Sequence, residues 1–69
     1  MTISEIFQTP FGTILAFSTK IPEHVVGKYI VSDKGTKHLI KGVPVESDID
    51  IFVEKTLSFK VGDRVTIEA

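Results

Sequence analysis

The last eleven residues, Phe59 to Ala69 (FKVGDRVTIEA), carry the clearest hydrophobic and polar pattern in the chain. A turn at Val61-Gly62-Asp63 leads into alternation, with Arg64 out, Val65 in, Thr66 out, Ile67 in and Glu68 out. Period-2 alternation with β-branched residues on the buried side predicts a half-buried strand. Such a strand pairs with earlier ones and ties down an end that would otherwise fray.

Reading forward from the start, Thr2 to Gln8 is the first predicted strand, and its imperfect alternation predicts a bulge. Thr9-Pro10-Phe11-Gly12 is a turn, with Pro presetting φ and Gly tolerating positive values. Thr13 to Thr19 is apolar on both faces through Ile14, Leu15, Ala16 and Phe17, as in a strand curling through an interior. Lys20 to His24 is a loop fixed by Pro22, Lys28 to Ser32 a third strand, and Asp33-Lys34-Gly35 a tight turn. Thr36 to Val43 returns as a fourth strand, bent at Gly42 and ended by Pro44. Ile49 to Glu54 is a fifth, after an exposed loop at Glu46-Ser47-Asp48.

No window has the i, i+3, i+4, i+7 spacing of an amphipathic helix. Short strands punctuated by Gly, Pro and Asp turns predict an all-β single domain over residues 1–69, a six- or seven-stranded antiparallel barrel, closed or partly open. Its expected core is Ile14, Leu15, Phe17, Ile30, Ile40, Ile51, Val53, Leu57, Val65 and Ile67. Phe11 and Ile21, apolar residues in predicted loops, are expected to fold back as plugs of the barrel ends.

Residues 6 to 68 also resemble a known family. Gly12-Thr13-Ile14-Leu15-Ala16 resembles the strand that opens domain 2 of translational GTPases such as elongation factor Tu. Val26 to Val31 (VGKYIV), Lys37 to Val43 (KHLIKGV) and Phe59 to Ile67 resemble later strands of the same domain. The resemblance implies a small translation-protein-type barrel standing without a GTPase domain. No G-x-x-x-x-G-K-[ST] phosphate loop is present, so nucleotide hydrolysis is not implied. The loop residues with which such barrels hold a tRNA end or a ribosomal surface have no match, so the resemblance carries architecture alone.

Composition narrows the classes. Sixty-nine residues hold one core, and roughly 60 % of the unfolded surface is buried at this size. The chain has no cysteine, so stability rests on apolar burial, backbone pairing or a partner subunit, without disulfides or thiolate zinc. Eight Lys and Arg against nine Asp and Glu argue against a surface built wholly for nucleic acid. No apolar run reaches the length of a membrane span and no secretory signal opens the chain. A soluble cytoplasmic protein is expected.

Charge is unevenly distributed. Lys28, Lys34, Lys37 and Lys41 stand against Asp33 alone, and with Tyr29 they form a candidate nucleic-acid or partner-binding hairpin face. Glu46, Asp48, Asp50 and Glu54 fall within nine residues free of Lys and Arg, a candidate acidic docking patch; their spacing excludes an EF-hand loop. His24 and His38 lack partners for a metal site or a nucleophile in the sequence and are expected to be solvated. No catalytic set and no cofactor is called. The expected function is non-enzymatic, a protein-interaction module or adaptor, with an RNA- or ribosome-associated barrel as the alternative. A dipolar barrel of this kind also suits head-to-tail assembly into a homo-oligomer.

Overall fold

The computed structural model describes residues 1–44 and 47–69. Six strands form: β1 (Ile3–Thr9), β2 (Gly12–Phe17), β3 (Tyr29–Ser32), β4 (Lys37–Gly42), β5 (Asp50–Val53) and β6 (Val65–Glu68). They make one sheet in the order β1-β2-β5-β4-β3-β6, every neighbouring pair antiparallel. No helix occurs among the described residues, so none is long and apolar enough to cross a membrane.

Local chemistry explains where the strands start and stop. Thr9 Oγ1 accepts the Phe11 and Gly12 N–H groups and donates to the Gly12 carbonyl, which fixes the β1–β2 hairpin. Between β3 and β4 the Ser32 hydroxyl accepts the Lys34 and Thr36 N–H groups, and Gly35 takes a φ of 89°. A side chain with Cβ is strained there, so the position selects glycine. The register shifts between Ile3 and Glu5 in β1 and between Ile40 and Gly42 in β4, the two predicted irregularities.

All six strands feed one core: Ile3, Leu15, Phe17, Ile30, Ile40, Ile51, Val53 and Val65, with Val25 and Phe59 added from loops. Ile67 and Ile21 pack at its margin. Three expectations fail. Ile14 is outside the core and faces outward, because its neighbours Thr13 and Leu15 take the inward phase of β2. Leu57 is 80 % exposed and Phe11 is 85 % exposed. The backbone of Thr56 is held by the Thr13 hydroxyl through both its N–H and its carbonyl, which leaves Leu57 on the outside of the loop. Phe11 sits at the tip of a hairpin whose N–H groups are already capped, and its side chain points away from the sheet. Ile3, Val25 and Phe59 take the vacated share of the core.

The sheet is not closed, because β1 and β6 end the order without a continuous ladder between them. Instead the chain before β6 runs antiparallel along the outer edge of β1. Thr2 bridges Arg64, the Ile3 N–H donates to the Asp63 carbonyl, and the Gly62 N–H donates to the Ile3 carbonyl. At the other end of β1 the Gln8 side-chain amide donates to the Thr56 carbonyl. The Lys60–Asp63 turn that permits this has Gly62 at φ 94°. Its closing residue, Asp63, is buried; its carboxylate accepts the Lys60 N–H at 3.0 Å and pairs with the Lys34 ammonium at 3.2 Å.

Two predictions follow from packing and charge. A methyl group added at Gly12 would lie 2.5 Å from both a Phe52 ring carbon and the Val53 carbonyl oxygen. The carbonyl belongs to a central strand and cannot yield, so Gly12→Ala should lower unfolding free energy by about 1–3 kcal/mol in urea denaturation. The backbone N–H of Lys60, opposed by burial and aided by Lys34, lowers the Asp63 pKa from the ordinary 3.8. A depressed native pKa gives stability that is complete above the unfolded value and is lost as pH falls through the folded value. Wild type should therefore melt above Asp63→Asn by a constant margin well above pH 3.8, with the margin shrinking as pH falls through and below that value.

Candidate functional site

The basic hairpin forms as a hairpin, and the strand register divides its residues. Tyr29 lies opposite Leu39, and Val31 opposite Lys37. Ile30 and Ile40 point into the core, so Tyr29, Val31, Lys37 and Leu39 share the outer face. The Lys37 ammonium sits 4.6 Å from the centre of the Tyr29 ring, a cation–π contact that covers the ring's outer side. Lys41 is exposed at the β4 bulge beside them. The other two lysines lie elsewhere. Lys34 is held by Asp63. Lys28, two positions before Ile30, is in the opposite phase to Tyr29, and its carbonyl accepts the Ile40 N–H.

The acidic residues are also separated. Glu46 lies outside the described residues. Asp48 faces Lys20 at 3.5 Å, Asp50 accepts the Ser47 hydroxyl at 2.7 Å, and Glu54 is 2.9 Å from His38 Nδ1. No group of three or more His, Asp or Glu side chains is placed to hold a metal ion among the described residues.

His38 departs from the solvated state expected of it. Its side chain is 17 % exposed, lies against Phe59 with ring centres 5.4 Å apart, and has Nε2 3.4 Å from Thr56 Oγ1. Carboxylate, imidazole and hydroxyl thus follow in the order used by acyl-transfer triads. The Thr56 hydroxyl, however, donates to Ser58 Oγ and accepts the Ser58 N–H. Its proton is committed away from the imidazole, and Thr56 lines neither the cleft beside Val25 nor the one beside Val65. The network fastens the 54–58 segment to β4. His24, by contrast, is exposed at φ 60° on the rim of an open cleft of about 580 Å³ floored by Ile21, Val25 and Val43.

The register also assembles a feature that sequence reading missed. On the outer face of β1, β2 and β5, Phe7, Ile14 and Phe52 stand side by side in one row. Phe7 is 48 % exposed. The next row on the same face is Glu5, Ala16 and Asp50. Near the hairpin end Leu57 is exposed on the 54–58 segment, and the Lys55 ammonium reaches the Thr9 carbonyl at 3.4 Å. The three apolar residues are 7, 14 and 52 in the chain, so only the strand order brings them together.

No family model matches the chain, and neither a curated protein nor a solved structure matches it.

Thr13 is the residue on which this end of the molecule turns. Fully buried, its hydroxyl lies 2.7 Å from Gln8 Oε1 and 3.2 Å from the Thr56 carbonyl, and it accepts the Thr56 N–H at 3.0 Å. Thr13→Val keeps the shape and strands those groups. It should cost about 1–3 kcal/mol of stability and raise amide exchange selectively across residues 54–58.

Proposed function

We propose that this chain is a non-enzymatic protein-interaction module whose contact surface is the outer face of β1, β2 and β5 with the adjoining hairpin end. The observation that carries this reading is the apolar row Phe7, Ile14 and Phe52, extended by exposed Phe11 and Leu57. Large apolar side chains gathered on one side and rimmed by charge are the usual composition of a docking surface. Aromatic residues at its centre supply most of the binding free energy in such contacts.

RNA binding through the β3–β4 face is the second reading, favoured by exposed Lys37 and Lys41 beside Tyr29. The Lys37 ammonium over the Tyr29 ring weakens it, because a base stacking there must first displace the lysine.

Affinity capture on the tagged chain, run with and without nuclease, separates the two. The module reading predicts a defined protein retained in both halves and lost with the Phe11→Ser/Leu57→Ser variant, which removes only exposed side chains and should melt as wild type does. RNA that is recovered only without nuclease, lost with Lys37→Glu/Lys41→Glu and weakened steeply by salt, would replace it with the second reading.

A further inference from the structure

We propose that His38 is a proton-operated latch: with both ring nitrogens protonated it ties the 54–58 segment to β4, and loss of one proton loosens that segment.

Each ring nitrogen of His38 faces an acceptor. Nδ1 lies 2.9 Å from Glu54 Oε1, and an ionised carboxylate only accepts. Nε2 lies 3.4 Å from Thr56 Oγ1. That hydroxyl gives its proton to Ser58 Oγ at 3.0 Å and accepts the Ser58 N–H at 3.0 Å. It has a lone pair to offer Nε2 and no proton. A neutral imidazole carries one N–H and one bare nitrogen. With its proton on Nδ1, the Nε2 lone pair meets the Thr56 oxygen; with its proton on Nε2, the Nδ1 lone pair meets the carboxylate. Only the imidazolium donates at both ends. The Nε2 contact is the longer and weaker of the two, so it opens first when a proton leaves.

The surroundings make the missing proton matter. The His38 side chain is 17 % exposed, lies against the Phe59 ring and stands opposite Ile30 of β3, so water replaces a lost partner poorly. Glu54 is the one carboxylate within ion-pair distance of the ring among the described residues. The cations of the adjoining elements are engaged elsewhere. The Lys37 ammonium lies over Tyr29, the Lys55 ammonium reaches the Thr9 carbonyl, and Lys34 and Lys60 act on Asp63. Lys28 and Lys41 are exposed. The Gln8 and Thr13 side chains that meet Thr56 from β1 and β2 do not titrate.

The segment has two ties of different kinds. Thr13 holds the Thr56 backbone with a hydroxyl whose charge never changes. His38 holds the Thr56 side chain and, through it, Ser58. Deprotonation therefore leaves the segment docked at Thr56 and frees Leu57 and Ser58. A proton held in the latched form and released on opening favours the latch at the acid end, and the advantage is lost as pH rises. Histidine changes charge between about pH 5 and 8. Exposed Leu57 is then better ordered in mild acid, a consequence for the contact surface that rests on the interaction-module reading, as the latch itself does not.

The test is amide exchange of the full chain at about pH 5.5 and about pH 8, each rate divided by the intrinsic rate of that amide at the same pH. Protection of the Ser58 amide should be about 3–10-fold greater at the lower pH, with the Ile40 amide in the sheet unchanged. His38→Gln should reduce the difference to less than about 2-fold, and His24→Gln should leave it as in wild type. Should His38→Gln fail to fold, nitrogen-15 spectra of the wild-type ring decide: both ring nitrogens protonated at the lower pH and one at the higher, in step with Ser58 protection.

Ser58 protection that is equal at the two pH values, or greater at the higher, would overturn the latch. So would a difference that survives His38→Gln. A ring with a single protonated nitrogen at the lower pH would show that Thr56 donates to the imidazole, and would overturn it too. Partner capture indifferent to Phe11→Ser/Leu57→Ser would overturn the interaction-module reading and leave the exchange result, and the latch, standing.

Discussion

The junction between residues 1–3 and 62–65 is the constraint on which the rest of the structure depends. A six-stranded curled sheet presents two edges, and an edge that faces the interior without partners leaves buried N–H and C=O groups unsatisfied. Here the Val65 N–H donates to the Met1 carbonyl, the Ile3 N–H to the Asp63 carbonyl and the Gly62 N–H to the Ile3 carbonyl. Those bonds need the chain to turn sharply just before β6, which Gly62 permits and the Asp63 carboxylate secures by accepting the Lys60 N–H. With the junction made, Ile3, Phe59 and Val65 can meet in one cluster with residues from every other strand. Without it, residues 1–3 and 62–65 would separate.

Enclosing a core with so few residues has a consequence on the outside. Each strand sends alternate side chains inward, and the inward set from six short strands is fully used. The outward apolar residues, Phe7, Ile14 and Phe52 on one side and Tyr29, Val31 and Leu39 on another, have no second layer to cover them. On the β3–β4 side the cover is partly internal, since Lys37 lies over the Tyr29 ring. On that same side Leu39 is 43 % exposed, and on the β1–β2–β5 side Phe7 is 48 % exposed. The lysine laid over Tyr29 is why the interaction reading centres on β1, β2 and β5. Thr13 and the His38 network serve it from behind by holding the 54–58 segment, and with it Lys55 and Leu57, at the end of the β1–β2 hairpin.

Much of the fold was legible because it is local. The alternation from Arg64 to Glu68, the Gly35 turn and the bend before Gly42 are each set by neighbours within a few residues. Hydropathy alone misled at Leu57 and Phe11, whose directions are fixed by backbone bonds to Thr13 and Thr9 and not by their own apolarity. The candidate site was far less legible. His38 meets Glu54 across 16 positions and Thr13 meets Thr56 across 43, so neither partner shows in a local pattern. The charge clusters read along the chain dissolved for the same reason: Lys34 turned to Asp63, and the described carboxylates each found a different neighbour. Phe7, Ile14 and Phe52 became one feature only through the strand order β1-β2-β5.

Amide hydrogen exchange at the junction tests this account most directly. If the closing bonds govern the fold, the Ile3, Gly62 and Val65 amides should exchange only through global unfolding, as slowly as the Ile40 amide within the sheet. Exchange of those three at the rates of exposed loops, with Ile40 still protected, would show that the sheet stays folded while the junction opens, and would contradict the account.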